Sequence, residues 1–197
     1  VQDGPRDPYR LVAWSRLLPG IETPTVASAE IGSAPLTADS AGFKVTPTEA
    51  VAHLADVMTN PAGAYAAEFA PDLFREVFAA EQVNLQSQVQ ADGAVVGEVS
   101  TTTTPGPVVF AIASAEGGAI VMASVDSSVT MRKTVPEATL NPGGEITALG
   151  GVEPITGAMV STYKQMVTLY VPPASQPDQL IQVLGFERVL TSVTRVD

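Results

Sequence analysis

The sequence contains no cysteine and only one histidine, and these two scarcities exclude several kinds of chemistry. Without thiols there is no disulfide, no cysteine-based zinc site and no thiol nucleophile. A serine triad would have to use His53, and no Gly-x-Ser-x-Gly elbow accompanies it. His53 and Asp56 are spaced to share one helix face, but two ligands make only half of a metal site. We therefore expect no metal and no cofactor, and we interpret His53 as an ordinary helix residue.

Charged residues are also scarce at 16% of the chain, and the basic ones are the rarer sign, with 10 lysines and arginines against 21 acidic residues. The net charge of −11 repels phosphate backbones and anionic lipid headgroups. We therefore expect no nucleic-acid partner. No apolar run reaches the roughly 18 residues of a membrane span, so we expect no direct membrane insertion. The hydrophobic share of 45% nevertheless predicts a globular core.

Residues 1–45 are rich in proline and glycine, which predicts an irregular N-terminal arm packed on the core. The exception is the apolar segment from Tyr9 to Leu18, which Pro19-Gly20 closes and which fits a strand or a helical turn. Its centre is Trp14, the single tryptophan of the chain. We predict that Trp14 and the leucines around it pin the arm onto the core, with anchoring of a partner by Trp14 as the alternative.

The clearest helix start is the pattern Thr46-Pro47-Thr48-Glu49. A threonine N-cap, a proline at the first helical position and a glutamate three residues after the cap form a capping box. An apolar stripe of helical period then runs to Asn60-Pro61. A short second helix is predicted over 62–69, and a third begins at Pro71-Asp72 and runs to about Gln90.

After residue 94 the apolar period changes from that of a helix to that of a strand. Gly185 interrupts the last strand and predicts a bulge or bend there. Helices followed by about five antiparallel strands predict an α+β domain over 46–197, with the N-terminal helices packed on a curved sheet. This element order resembles the cone-shaped fold of nuclear transport factor 2 and, alternatively, the cystatin roll. The predicted strands cover 95–104, 108–114, 119–134, 155–171 and 180–196, with a loop over 135–151.

Acid–base chemistry is the one class that the residue types leave open, because a single buried carboxylate or phenol can transfer a proton. Asp126 alternates with small hydroxyl residues, which is typical of a solvated sheet face. Tyr163 falls on the apolar face of its strand. No residue is assigned a catalytic role. The candidates that lie on predicted strands are Glu98, Asp126, Tyr163 and Glu187.

The arm carries the segment Asp7-Pro8-Tyr9-Arg10-Leu11-Val12-Ala13-Trp14-Ser15-Arg16-Leu17-Leu18-Pro19-Gly20, followed by Gly32-Ser33-Ala34-Pro35-Leu36 and Thr46-Pro47. Over residues 7–60 this combination resembles an uncharacterised family of actinobacterial exported proteins and lipoproteins. The resemblance implies an extracytoplasmic, cell-envelope location, an unassigned role and no catalytic residues. Because the chain begins at Val1-Gln2-Asp3 without a methionine, we expect an export signal or lipid anchor upstream of it.

Three hypotheses follow from these observations. The favoured one is a non-enzymatic binding or scaffolding domain of the cell envelope that docks another envelope protein through its sheet or through Trp14. The second is a small-molecule pocket protein of the cone-fold type, with carboxylate acid–base chemistry as one option and Tyr163 or Asp126 lining the pocket. The third is a domain that forms a homodimer through its sheet. Enzymatic activity stays open, with its absence favoured.

Overall fold

The computed structural model of the chain describes residues 6, 8, 11–91, 94–140, 144–151 and 155–196. In these residues the fold is α+β, with helices packed against a five-strand antiparallel sheet that does not close into a barrel. This confirms the predicted class. None of the described helices is long and apolar enough to cross a membrane. The helices are α1 (Pro47–Thr59), α2 (Leu73–Gln88), α3 (Gly144–Gly150) and a 3-10 turn (Ala66–Glu68).

Helix α1 begins where its capping box predicts. The Thr46 side chain accepts a hydrogen bond from the Glu49 amide at 3.2 Å, and the Glu49 carboxylate accepts one from the Thr46 amide at 2.8 Å. The bond from the Thr46 backbone also lowers the pKa of Glu49. The apolar stripe of α1, including Val51 and Leu54, is buried against the sheet. Local sequence therefore sets the start of the helix, and burial of one stripe fixes its orientation.

The sheet has the strand order β1-β7-β6-β5-β4, and all neighbours are antiparallel. Strand β4 is continuous, whereas the sequence predicted two strands separated at Pro105-Gly106-Pro107. That segment stays in the sheet through register shifts between Pro105 and Phe110. The predicted loop over 135–151 contains α3. The strands are β1 (Arg16–Leu17), β2 (Gln90–Ala91), β3 (Ala94–Val95), β4 (Gly97–Ala113), β5 (Ala119–Lys133), β6 (Ala158–Val171) and β7 (Gln182–Val196), of which β2 and β3 form a separate ladder.

The helix-facing side of the sheet carries two apolar clusters with a polar band between them. The larger cluster joins α1 and the start of α2 to the apolar residues from Val121 to Val125 of β5. The smaller one surrounds Met131 and Met159. We call the polar residues between the clusters the polar seam. It crosses β4, β5, β6 and β7 through Thr101, Thr103, Ser127, Ser161, Tyr163, Gln165 and Arg188.

The arm joins the fold at several places, one of which is β1, which pairs with β7 at Phe186 and Gly185. Leu18 is buried in the larger apolar cluster, and its amide donates to the Leu184 carbonyl at 2.9 Å. Trp14 is 52% exposed. Of the residues predicted to pin the arm to the core, Leu18 is therefore the buried anchor, whereas Trp14 is half exposed. Trp14 as an anchor for a partner stays a prediction. Of the residues before Leu11, only Arg6 and Pro8 lie within the described part.

The sequence predicts a bulge or bend in the last strand at Gly185, and the structure has an extra residue in β7 directly before this glycine. The register between β6 and β7 shifts so that Thr168 faces Gly185 and Leu169 faces Val183, which leaves Leu184 as the extra residue. A side chain at Gly185 would collide with β1, because a Cβ atom there would lie 2.6 Å from the Arg16 carbonyl oxygen. The glycine therefore permits the close approach of β1 to β7.

Replacing Gly185 with alanine is expected to loosen β1 from β7, because the contact involves backbone atoms that must shift. The Leu18 amide should then lose at least about tenfold of its protection against hydrogen exchange, measured by NMR or mass spectrometry. Ser192→Ala, at an exposed position of the same strand, is the control and should leave that protection unchanged. Full protection of Leu18 in Gly185→Ala would contradict the role assigned to the glycine.

Candidate ligand-binding groove

A groove runs along the seam between α2 and β7, and we call it the α2–β7 groove. It exists because α2 buries only Phe74 and Phe78, both in its first half, against the larger apolar cluster. The Phe74 ring lies 4.5 Å from the Phe186 ring of β7. Beyond this contact, three clefts of about 300 to 310 Å³ lie along α2, and a fourth of about 370 Å³ lies between α3 and β7; Arg188 lines all four.

The end of the groove next to β1 is apolar. Its walls are Leu17 of β1, Phe186 of β7, and Leu73 and Val77 of α2. Leu17, Leu73 and Val77, which line this cleft, are each between 42% and 52% exposed. The far end, next to α3, is bordered by the exposed Leu149; Val189 also borders it, but it alternates with Arg188 and Leu190, so its side chain lies on the outer face of the sheet. Apolar surface therefore flanks the groove at both ends.

The centre of the groove is polar and is organised by Arg188. Its guanidinium donates to the Glu81 carboxylate of α2 and lies 3.7 Å above the centre of the Tyr163 ring. Glu145, from the start of α3, lines the same cleft of about 310 Å³. The Arg188 side chain is only 14% exposed, so the cation–π contact and the ion pair are partly shielded from water.

Tyr163 lines this central cleft with its aromatic ring, beneath the Arg188 guanidinium. Burial of the phenol is the main cause that raises the pKa of Tyr163 to about 12. A hydrogen bond to Glu145 and the negative charges of Glu145 and Glu81 raise the pKa further, while the Arg188 charge lowers it. The phenol is therefore protonated at neutral pH and acts in the groove as a hydrogen-bond donor.

Several buried polar atoms around the groove have no hydrogen-bond partner among the described residues. They include Arg188 Nε, Gln82 Nε2 and Gln88 Oε1, and the seam residue Gln165 adds its Oε1. A buried polar atom without a partner costs about 1–3 kcal/mol, so a native fold holds few of them. Of these four side chains, Arg188 and Gln88 line the central cleft, whereas Gln82 and Gln165 line none of the clefts.

Raising the pH above 10 is expected to destabilise the protein through Tyr163. Its folded-state pKa of about 12 lies above the ordinary value of 10.0, so the unfolded chain loses this proton first. The stabilising contribution is complete below pH 10 and disappears as the pH rises towards 12. Denaturant unfolding of Tyr163→Phe should show a shallower loss of stability between pH 9 and 11 than the wild type. Identical slopes in the two proteins would contradict the raised pKa.

The structure separates the acid–base candidates that the sequence had grouped. Tyr163 lies in the groove, and Glu187 borders its apolar end. Asp126 is half-buried on the opposite face of the sheet, in register with Lys164 of β6. Glu98 makes an exposed ion pair of 3.5 Å with Arg132. Asp126 and Tyr163 therefore do not form one site, because they occupy different faces of the sheet.

His53 and its neighbours form a side-chain cluster away from the groove. The His53 Nδ1 atom lies 2.6 Å from a Glu68 oxygen, and the imidazole stacks on Tyr65 with ring centres 3.7 Å apart. Asp56 instead accepts a hydrogen bond from the Asn60 side chain. Within the described ranges no group of three or more histidines or carboxylates is placed to hold a metal ion.

Sequence reasoning missed Arg188, Glu81 and Glu145 as residues of one site. Arg188 carried a usable signal, since it lies between Phe186 and Leu190, which share its face of β7 and pack on apolar clusters. A charged residue in the inward position of an alternating strand needs a partner. Glu81 and Glu145 are 64 residues apart in the numbering and carried no such signal. No family model, no curated protein and no solved structure matches the chain.

Proposed function

We propose that the protein is a non-enzymatic binding domain that acts in the cell envelope and that binds its partner in the α2–β7 groove. The observation that carries the proposal is the groove itself, a polar centre of Arg188, Tyr163 and Glu145 between an apolar end at β1 and the exposed Leu149 of α3. Interfaces commonly combine apolar anchors with a few fixed polar groups. The envelope location rests on the family resemblance of the arm.

The dimensions of the groove favour a peptide segment of a partner protein. Phe186, Arg188 and Leu190 face it from successive inward positions of β7, and four residues of strand span about 13 Å. The clefts continue past both ends of this stretch, to β1 on one side and to α3 on the other. An extended segment with apolar side chains at its ends and a polar one at its centre would match this order of surfaces.

The second candidate function is a small-molecule pocket, which the central cleft of about 310 Å³ favours. This volume lies at the lower end of the range of roughly 300–1,000 Å³ typical of small-molecule sites. Acid–base catalysis is the weaker form of this candidate. The Tyr163 phenol stays protonated far above neutral pH, and the Glu81 carboxylate is already paired with Arg188.

Two valines of α2 provide a matched test of the proposed function. Val77 is 42% exposed and lines the groove, whereas Val83 is 72% exposed and does not line any of its clefts. The tagged protein is used to capture partners from an envelope extract, and each captured protein is then purified and titrated calorimetrically. The Val77→Glu variant should bind the captured protein at least about tenfold more weakly than the wild type does, because a charge replaces an apolar contact. The Val83→Glu variant should bind it as tightly as the wild type does.

Equal binding by Val77→Glu and Val83→Glu would overturn the groove as the binding surface. Sedimentation velocity of the protein alone tests the homodimer hypothesis in the same preparation. A dimer through the sheet would sediment faster than the monomer, and its fitted molar mass would be twice that of the monomer. Fractionation of cells that express the complete gene tests the envelope location. Recovery of the protein from the cytoplasm would contradict that part of the proposal.

A further inference from the structure

The two edge strands of the sheet, β4 and β7, differ in whether they can pair with a further strand. Strand β4, at one edge, contains Pro105 and Pro107, which cannot donate to an added strand, and its Thr103 amide donates to the Thr59 side chain of α1 at 2.9 Å. Strand β7, at the other edge, contains no proline or lysine after Gly185. Among the described residues, Arg16 and Leu17 pair with its outer side and the Leu18 amide bonds the Leu184 carbonyl. No described residue pairs with the edge of β7 from Glu187 onward, so this part of the edge is unpaired in the described structure.

The chain directly upstream of β1 is positioned to continue along this open edge. Strand β1 runs antiparallel to β7, with Arg16 opposite Phe186. Extending the same register by four residues would bring Trp14 opposite Arg188 and Val12 opposite Leu190. These are the two β7 positions that face the centre and the far end of the α2–β7 groove.

The side-chain pattern of residues 11–15 matches that placement. Alternate residues of a strand share a face, so Val12 and Trp14 would lie on the same side as Leu18, whose side chain is in the core. Val12 and Trp14 are 50% and 52% exposed in the structure. Docked on β7, the Trp14 ring would cover Arg188, and Val12 would contact the exposed Leu149 of α3. The apolar surfaces of the arm and of the groove are thus complementary.

A hydrogen bond in the structure holds the segment away from this position. The Ser15 hydroxyl lies 2.6 Å from the Thr168 hydroxyl of β6. Since neighbouring strands are about 4.8 Å apart, β1 and β6 are separated by nearly 10 Å, with β7 between them. Ser15 can reach Thr168 only by leaning across β7, where Gly185 has no side chain to obstruct it. Extended pairing of Ser15 with Glu187 would break this hydrogen bond.

We infer that residues 11–15 of the arm dock as an extension of β1 along the open edge of β7 and thereby close the α2–β7 groove. The structure shows the open position, which the Ser15–Thr168 hydrogen bond stabilises. In the closed position Trp14 occupies the place above Arg188 that the groove offers a partner. The regulatory consequence rests on the proposed function, because closure would compete with partner binding. The docking itself does not depend on what the groove binds.

Because the chain has no cysteine, a double-cysteine variant tests the docking directly. In the extended register Ala13 faces Val189, and facing residues of antiparallel strands have Cα atoms 4.5–5.5 Å apart, which suits a disulfide. Under mild oxidation, Ala13→Cys with Val189→Cys should form an intramolecular disulfide at least about fivefold faster than Ala13→Cys with Ser192→Cys, which is three positions out of register. Equal rates for the two pairs, or a disulfide between two molecules, would overturn the inference.

The single tryptophan gives an independent readout. Ser15→Ala removes the hydrogen bond that holds the open position, so it should shift the Trp14 emission to shorter wavelength and increase the disulfide rate of the in-register pair. Thr168→Ala should cause the same two changes, because it removes the other partner of that hydrogen bond. If neither substitution changes the emission or the rate, the inferred competition between the two positions is wrong. None of these measurements uses a ligand, so their failure would leave the Val77→Glu test of the groove intact.

Discussion

Phe74→Ala is expected to lower the free energy of unfolding by about 3–5 kcal/mol, which is typical of truncating a large buried aromatic side chain. Phe74 is buried where α2 meets the larger apolar cluster, and its ring contacts Phe186 of β7 at 4.5 Å and Phe78 at 6.5 Å. Chemical denaturation measures the change directly. In a thermal melt the same loss should appear as a decrease of roughly 10 °C in Tm.

The control is the same substitution at an exposed position. Phe110 of β4 is 42% exposed, so Phe110→Ala should cost about 1 kcal/mol or less. The difference between the two losses of unfolding free energy then reports the burial of Phe74, because both variants replace a phenylalanine with alanine. Equal losses in the two variants would contradict the packing of α2 on β7. Because that packing forms one wall of the α2–β7 groove, it would also remove the structural basis of the proposed binding site.

The parts of the fold that the sequence predicts are those set by local chemistry. The start of α1 follows from Thr46, Pro47 and Glu49, three neighbouring residues whose capping interactions need no tertiary context. The α+β class follows from the change of apolar period near residue 94, which is also a local property. The irregular step near Gly185 belongs to the same group, since a glycine within a strand marks a local departure from regular pairing.

The predictions that failed depended on contacts between distant residues. Proline usually ends a strand, yet β4 continues through Pro105 and Pro107. It can do so because β4 is an edge strand, and the outward positions of an edge strand need no amide for a partner strand. Leu18 and Trp14 both fit an apolar anchor. Both lie on the same face of the strand by alternation, and Leu18 is the buried one because its backbone is held against β7, whereas Trp14 precedes the paired residues Arg16 and Leu17.

The candidate groove was beyond the reach of sequence reasoning for a similar reason. Tyr163 was selected for its place on an apolar face, and it does line the groove, but its partners come from α2, α3 and β7. No spacing in the sequence connects Glu81, Glu145 and Arg188. Asp126 lies on the outer face of the sheet, as its alternation with small hydroxyl residues predicts. Only the strand order brings the members of the groove together.

The polar seam connects the groove to the interior, and Ser127 is its most connected residue. Ser127 is fully buried on β5, between Thr103 of β4 and Gln165 of β6. Its hydroxyl lies 2.9 Å from the Thr103 hydroxyl and accepts a hydrogen bond of 2.6 Å from Gln165 Nε2. Gln165 is equally buried, and its Oε1 atom has no partner among the described residues. The Gln165 amide is thus held by a single hydrogen bond to Ser127.

Ser127→Ala is therefore expected to destabilise the protein by about 2–4 kcal/mol, because it leaves the buried Thr103 hydroxyl and Gln165 amide without this partner. Gln165→Met alone should be nearly neutral, since methionine has a similar volume and removes the unpartnered oxygen as well as the hydrogen bond. In the Ser127→Ala background, Gln165→Met should recover about 1–2 kcal/mol, which a double-mutant cycle measured by denaturant unfolding would reveal as coupling. Ser128→Ala, on the opposite face of β5, is the control and should change stability by less than about 0.5 kcal/mol. Additive effects of the two seam substitutions would show that Gln165 does not depend on Ser127.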